Sequence, residues 1–356
     1  MAIFGYDREV LEKRIGHSSQ VGGLKLYTLS DGRAAGIRAA DFRTTRGLEF
    51  TVLLDRAMDI SEARYKGMSL CWRSPAGDAA PAFYDSRGLG WLWTFFGGLL
   101  TTCGLTQIGP PNVDGEEELG LHGRISCAPA EKVSVREEWA GDRPVLEMSG
   151  LVREARLFGP NLEVRRTIRA FGDGVGLEVR DRIVNTGARA TPLMLLYHIN
   201  VGFPLLDEGA EFVAPTAKAE PRDAEAEDGK EQYTQMHGPV RGYAEKVYFH
   251  SMKADAEGMV TCGVVNRKLS GGLGLRLRYR LSELPNFTQW KMLGEREYVL
   301  GIEPGIGPVI GRSAAREEGG LRELDVGEEA TAGFELEVVE GKEALEALAR
   351  EASVRA

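Results

Sequence analysis

The chain has 356 residues, 43% hydrophobic and 27% charged, the balance of a soluble folded protein long enough to bury a large core. Its formal net charge of −9 excludes the concentrated basic face that a nucleic-acid partner requires, while leaving room for a local cationic pocket. Cys71, Cys103, Cys127 and Cys262 include no CxxC pair, so they read as buried free thiols of a reducing compartment.

At the N-terminus, MAIFGYDREVLEKRIG lacks an apolar core followed by a small-residue cleavage site, so it does not read as a signal peptide. Within it, Asp7 to Ile15 has the spacing of a short amphipathic helix. From Leu48 the pattern changes to period two. LEFTVLL (48–54), LEVRRTI (162–168), GLEVRDRIV (176–184), LGLRLRYR (273–280) and TAGFELEVV (331–339) predict strands with one buried and one solvated face. The most apolar stretch, Gly88 to Leu105, is broken by glycines and too short to cross a bilayer, which points to a cytoplasmic protein without membrane contact. Ala217 to Glu231 is polar and reads as an exposed loop, and Gly341 to Val354 as a second amphipathic helix. The 45 glycines follow no period and suit turns and bulges between short strands. Together these signals predict an all-β protein. They fit one large antiparallel β-sandwich domain over 1–356, with short helices near 7–15 and 341–354.

Five histidines can be weighed singly. His17, His237 and His250 lie in polar surroundings and read as surface or structural. His122 stands in LGLHGRIS beside Gly123 and Arg124, where glycine permits close approach and arginine offers a fork of donors. His198 stands in LMLLYHINVGFPLL with Tyr197 and Asn200, at the end of an apolar run where polar groups need partners. Glu303 interrupts the apolar strand YVLGIEPGIGP, either as an edge carboxylate or as a base in a partly dry pocket. LPNFTQWKML, Leu284 to Leu293, mixes Asn286, Gln289, Trp290 and Lys291, an aromatic face with hydrogen-bonding groups that suits carbohydrate as well as core. In LLDRAMDIS, Asp55, Arg56 and Asp59 read as a buried Asp–Arg pair fixing a pocket wall, or as ligand contacts.

In this order, LHGR around His122, YHIN around His198 and GIEPG around Glu303 resemble the galactose mutarotase-like superfamily. LLDRAMDIS, YKGMSLCWRSP, GGLLTTCGLTQIG and YHINVGFPLL are similar to the DUF4432 branch of aldose 1-epimerase-like proteins, a likeness running to Val339. The resemblance implies a mutarotase or epimerase on a large β-sandwich, using acid–base catalysis without cofactor or metal. Glu303 would be the base and His198 the acid, on opposite sides of a sugar. His122, Arg124, Asn200, Gln289, Trp290, Lys291 and Asp59 would bind it. Characterised mutarotases carry an arginine motif upstream of the first histidine, whereas this chain reads GGLLTTCGL, so the ligand is expected to depart from an ordinary free hexose. Arg124 and Lys291, if both point inward, would suit an acidic or phosphorylated sugar. A non-catalytic carbohydrate-binding protein is one alternative. A metal-dependent isomerase or lyase with His122, His198 and Glu303 as ligands is another. The assembly is expected to be a monomer or homodimer.

Overall fold

The period-two segments form long antiparallel strands in a computed structural model, which describes residues 3–141 and 143–353. Among these residues an eight-stranded sheet runs in the order 211–213, 259–266, 273–280, 329–340, 176–185, 161–171, 143–155 and 131–140. A second sheet orders 216–221, 246–252, 286–294, 297–306, 191–202 and 322–324, and Thr101–Leu105 also pairs with 191–202. A five-stranded sheet between Gly23 and Ser69 connects to it through the bridges Ile60–Leu100 and Cys71–Val201.

The two large sheets pack face to face. Val164, Ile168, Val179, Leu277 and Phe334 from one meet Leu195, Tyr197, Ile199, Leu300 and Ile302 from the other in one buried cluster. The Tyr197 and Phe334 rings meet edge-on with centroids 4.9 Å apart. Each such side chain contributes about 1.5–3 kcal/mol of hydrophobic stabilisation. The expected antiparallel β-sandwich is therefore the observed fold.

One charged residue breaks the apolar parity. On strand Asn161–Phe171, Leu162, Val164, Ile168 and Ala170 enter the core, and so does Arg166, at 1% exposure. Two guanidinium nitrogens bond Asp181 at 2.9 and 2.6 Å, and a third reaches Asp59 at 3.0 Å. Asp181 also accepts from the Tyr197 hydroxyl at 2.7 Å. A guanidinium this deep is tolerable only when its donors are matched in this way.

The helices are shorter than expected. The first is Arg8–Glu12, capped by Asp7 Oδ1, which accepts from the Val10 amide at 2.8 Å. The last is Lys342–Glu351, and Val354 lies outside the described residues. The segment 217–231, expected as a loop, instead holds most of the edge strand Thr216–Pro221 and the helix Ala224–Asp228. Asp223 caps that helix at the Ala226 amide, 2.9 Å, and buried Ala226 anchors it, which composition alone did not reveal. Exposed Lys218 and Glu220 keep the strand edge charged, which disfavours further pairing. The four cysteines are free and buried. Among the described residues no helix is long and apolar enough to cross a membrane.

Strand alternation decides what faces the outer side of the second sheet. On Thr191–Gly202 the odd residues Leu195, Tyr197, Ile199 and Val201 enter the core, so His198 and Asn200 point to the opposite face. On Asn286–Gly294, Phe287 and Leu293 are core residues, so Gln289 and Lys291 share the core side and Trp290 faces outward.

Candidate active site

The outer face of the second sheet is covered by the chain between residues 72 and 127. Gly90–Thr94 forms a 3₁₀ turn that places Trp91 over the sheet. The Trp91 indole N–H donates to Ser126 Oγ at 3.0 Å, and its ring stacks on Phe95 at 4.3 Å. His122 adopts a left-handed backbone (φ 56°), held where its amide donates to the Gly109 carbonyl and its carbonyl accepts from the Gly104 amide. The next residue must be glycine, because a Cβ at Gly123 (φ 71°) would overlap the carbonyl oxygens of Gly104 and Gln107. The Gly109 amide also donates to His122 Nδ1 at 3.4 Å, which leaves the ring proton on Nε2 and makes that nitrogen a donor.

Around His198 these pieces form an aromatic box. Its ring centroid lies 5.2 Å from Phe95, 5.4 Å from Trp290, 5.8 Å from His122 and 6.4 Å from Trp91. Trp72 closes one side, edge-on to Trp290 at 6.2 Å. Strand 191–202 pairs with Glu297–Ile306 so that Leu196 faces Gly305 and Ile199 faces Ile302, which sets His198 directly across from Glu303. His198 Nε2 lies 3.3 Å from Glu303 Oε1, without the alignment of a formed hydrogen bond. Among the described residues, neither His198 Nδ1 nor Glu303 Oε1, both buried, has a hydrogen-bond partner.

Burial governs the charge of the pair. Loss of water pushes Glu303 well above the usual carboxylate range, and the nearby Glu245 carboxylate adds to the effect. Loss of water, reinforced by His122, brings His198 down to about 3, and desolvation brings His122 to about 4. Burial thus disfavours the charged form of all three groups, the carboxyl and both imidazoles.

Of the residues expected from sequence, His122, His198, Trp290 and Glu303 come together. The others do not. Asp59 is fully buried, its oxygens taken by the Thr102 amide (2.9 Å), the Thr102 hydroxyl (2.6 Å) and Arg166. Its arginine partner is thus Arg166, while Arg56 donates to the carbonyls of Ser126, Ala79 and Thr94. Asn200 shares the face of His198, but its amide donates to the carbonyls of Gly97, Gly98 and His198. Gln289 bonds His250 at 3.1 Å and the Tyr233 carbonyl at 2.8 Å. Lys291 donates to the carbonyls of Gln232 and Gln235 at 2.7 and 2.6 Å, and burial lowers it to about 8. Exposed Arg124 lines a separate crevice with Tyr84, Thr106 and Glu117. The crevice walled by Ile15, Val21 and Trp139 and the one walled by Asp114, Arg312 and Arg316 contain neither His198 nor Glu303. A buried, unpartnered ionisable pair therefore marks the site more clearly than cavity size does. Among the described residues no three His, Cys, Asp or Glu side chains are arranged to hold a metal ion.

Sequence reasoning missed Trp72, Trp91, Phe95 and Glu245. The run GLGWLWTFFGG carries a usable signal, aromatics between flexible glycines, beside its apolar character. Glu245 carried none. It accepts the Trp290 indole N–H at 2.7 Å and pairs with Arg222 at 3.0 Å.

This arrangement of sheets defines a class, the galactose mutarotase-like β-sandwich. Within it, the chain belongs to the DUF4432 family, described as a domain of unknown function, whose profile matches residues 34–338. The crystal structure of a candidate aldose 1-epimerase from Klebsiella pneumoniae superposes with a TM-score of 0.88 at 24% identity, covering 96% of this chain and 92% of that one. A galactose mutarotase-like protein from Clostridium acetobutylicum aligns at TM-score 0.60 and 14% identity, over 91% of this chain and 100% of its own. A galactose 1-epimerase from Lactobacillus acidophilus aligns at 0.56 and 11%, over 90% and 100%. At these identities the likeness establishes the fold. No curated protein matches the sequence.

Proposed function

We propose that the chain is an aldose 1-epimerase acting on an uncharged sugar, with Glu303 and His198 as its acid–base pair. The observation that carries this reading is the 3.3 Å contact between His198 Nε2 and Glu303 Oε1 in an aromatic box. The anomeric hydroxyl and the ring oxygen are bonded to one carbon, so two groups sitting side by side can serve both. The geometry thus favours adjacent groups over the arrangement on opposite sides of the sugar expected from sequence.

Transfer of the Glu303 proton to His198 yields a carboxylate and an imidazolium with no change in net charge. The carboxylate takes the O1 proton and the imidazolium gives its proton to O5 as the C1–O5 bond breaks, releasing an open-chain aldehyde. Both groups are then neutral, the state that burial favours. Rotation about C1–C2 presents the other carbonyl face, and the reverse transfers close the ring as the other anomer. Trp290, Trp91 and Phe95 offer surfaces for the sugar's CH groups, and His122 a donor for a hydroxyl. Arg124 lines a separate crevice and Lys291 is held by the Gln232 and Gln235 carbonyls, which supports an uncharged ligand over an acidic or phosphorylated one. The relatives described as epimerases agree with this reading.

Exchange NMR with neutral aldoses, uronic acids and sugar phosphates tests it. Accelerated anomer exchange of a neutral aldose that disappears in Glu303→Gln is the expected result. Binding without acceleration of any sugar would overturn the reading.

A further inference from the structure

We infer that Gly301 is a positioning residue for Glu303, an inference that rests on the acid–base reading above. Both residues lie on strand Glu297–Ile306, two apart and therefore on the same outer face. Gly301 pairs with Trp290 on one side and Asn200 on the other, so it is the single empty position in a row of larger side chains. A Cβ built there would overlap Glu303 Oε1 and stand 3.0 Å from Trp290 Cβ. The carboxyl group thus folds back along its own strand and occupies the space above the glycine.

Backbone conformation does not demand glycine here, since Gly301 is not among the positions with positive φ. A glycine within a buried strand is otherwise unfavourable, because it adds chain entropy to the unfolded state and gives nothing to pack. The niche accounts for it. With the carboxyl seated there, Oε1 is held against His198 Nε2, the approach that the proton transfer needs.

A double-mutant cycle in the full chain tests this without relying on activity. Gly301→Ala is made alone and in a Glu303→Ala background, and thermal unfolding is followed in all four proteins. The Glu303 carboxyl is also titrated by carbon-13 NMR. Gly301→Ala is expected to destabilise the wild type and to cost much less where no carboxyl must be displaced. Folding only in the Glu303→Ala background counts as the same coupling. The titration is expected to move down, toward the ordinary carboxylate range, as the group is pushed toward water. Anomer exchange should fall on the order of 10²-fold, the scale of a misplacement near 1 Å, with KM little changed. Equal cost in both backgrounds, failure to fold in both, or an unmoved titration would overturn the inference. If the cycle couples but the wild type exchanges no sugar, the positioning role stands and the epimerase reading falls.

Discussion

His198 and Glu303 face each other from neighbouring strands with 3.3 Å between Nε2 and Oε1, and among the described residues neither group is ion-paired elsewhere. Their separation is set by the spacing of hydrogen-bonded strands rather than by a loop, so it is held by the whole sheet. Loss of water drives each toward its uncharged form.

Glu303→Gln should separate chemistry from stability. Anomer exchange is expected to drop roughly 10²- to 10⁴-fold, the usual contribution of one positioned acid–base group. The folded pKa of Glu303 lies above its ordinary value of 4.5, so the folded state is favoured below pH 4.5 and loses stability as pH rises toward the folded value. The amide does not titrate. Thermal unfolding of the variant should therefore match or exceed the wild type at pH 7 and lose its advantage at pH 4.

The desolvated histidines act in the opposite sense. Desolvation lowers His250 and His122 to about 4 and His198 to about 3, against an ordinary 6.5. Their neutral forms stabilise the fold above pH 6.5, and that stability is lost as pH falls toward the folded values. His250 lies outside the site, between Thr216 and Gln289. His250→Gln should reduce the loss of unfolding free energy between pH 7 and pH 4 by on the order of 3 kcal/mol, measured by denaturant titration at each pH.

Arg166→Met removes the cation that holds Asp59 and Asp181, leaving two buried carboxylates without it. A cost of about 3–5 kcal/mol is expected in chemical denaturation. Asp59→Asn should likewise lower stability. Any sugar binding by its folded fraction should be unchanged, because Asp59 is enclosed by Thr102 and Arg166. A selective loss of binding would return Asp59 to the ligand.

Lys291→Met should loosen the segment whose Gln232 and Gln235 carbonyls it holds. Amide hydrogen exchange is expected to rise around residues 229–237, with no change in preference between neutral and phosphorylated sugars. Loss of binding to a sugar phosphate alone would instead restore Lys291 as an anion contact.

The sandwich was legible because strands with one wet face write their alternation into the sequence, as in LEVRRTI and TAGFELEVV. The same rule could have been applied more strictly at the site. In a strand, Gln289, Trp290 and Lys291 cannot all face one pocket, and the core residues Phe287 and Leu293 assign Gln289 and Lys291 to the inner side. Arg166 in LEVRRTI likewise sits on the apolar parity, a sign of buried pairing that its neighbours Arg165 and Arg169 do not give. What alternation could not supply was the aromatic cover. Trp72, Trp91 and Phe95 reach His198 only through long-range packing, which leaves no local period to read.

Strand 191–202 feeds the inter-sheet core with its odd residues, while its even residues put Met194 and Leu196 into a second apolar cluster and His198 into the candidate site. On the epimerase reading, ligand contacts and inter-sheet packing thus fall at interleaved positions of the strand. Substitutions at Trp72, Trp91, Phe95 and Trp290 can retune what is recognised while the inter-sheet packing stays intact. On the epimerase reading, the choice of sugar can shift without rebuilding the inter-sheet core, and a laboratory library confined to Trp72, Trp91, Phe95 and Trp290 should leave that core in place.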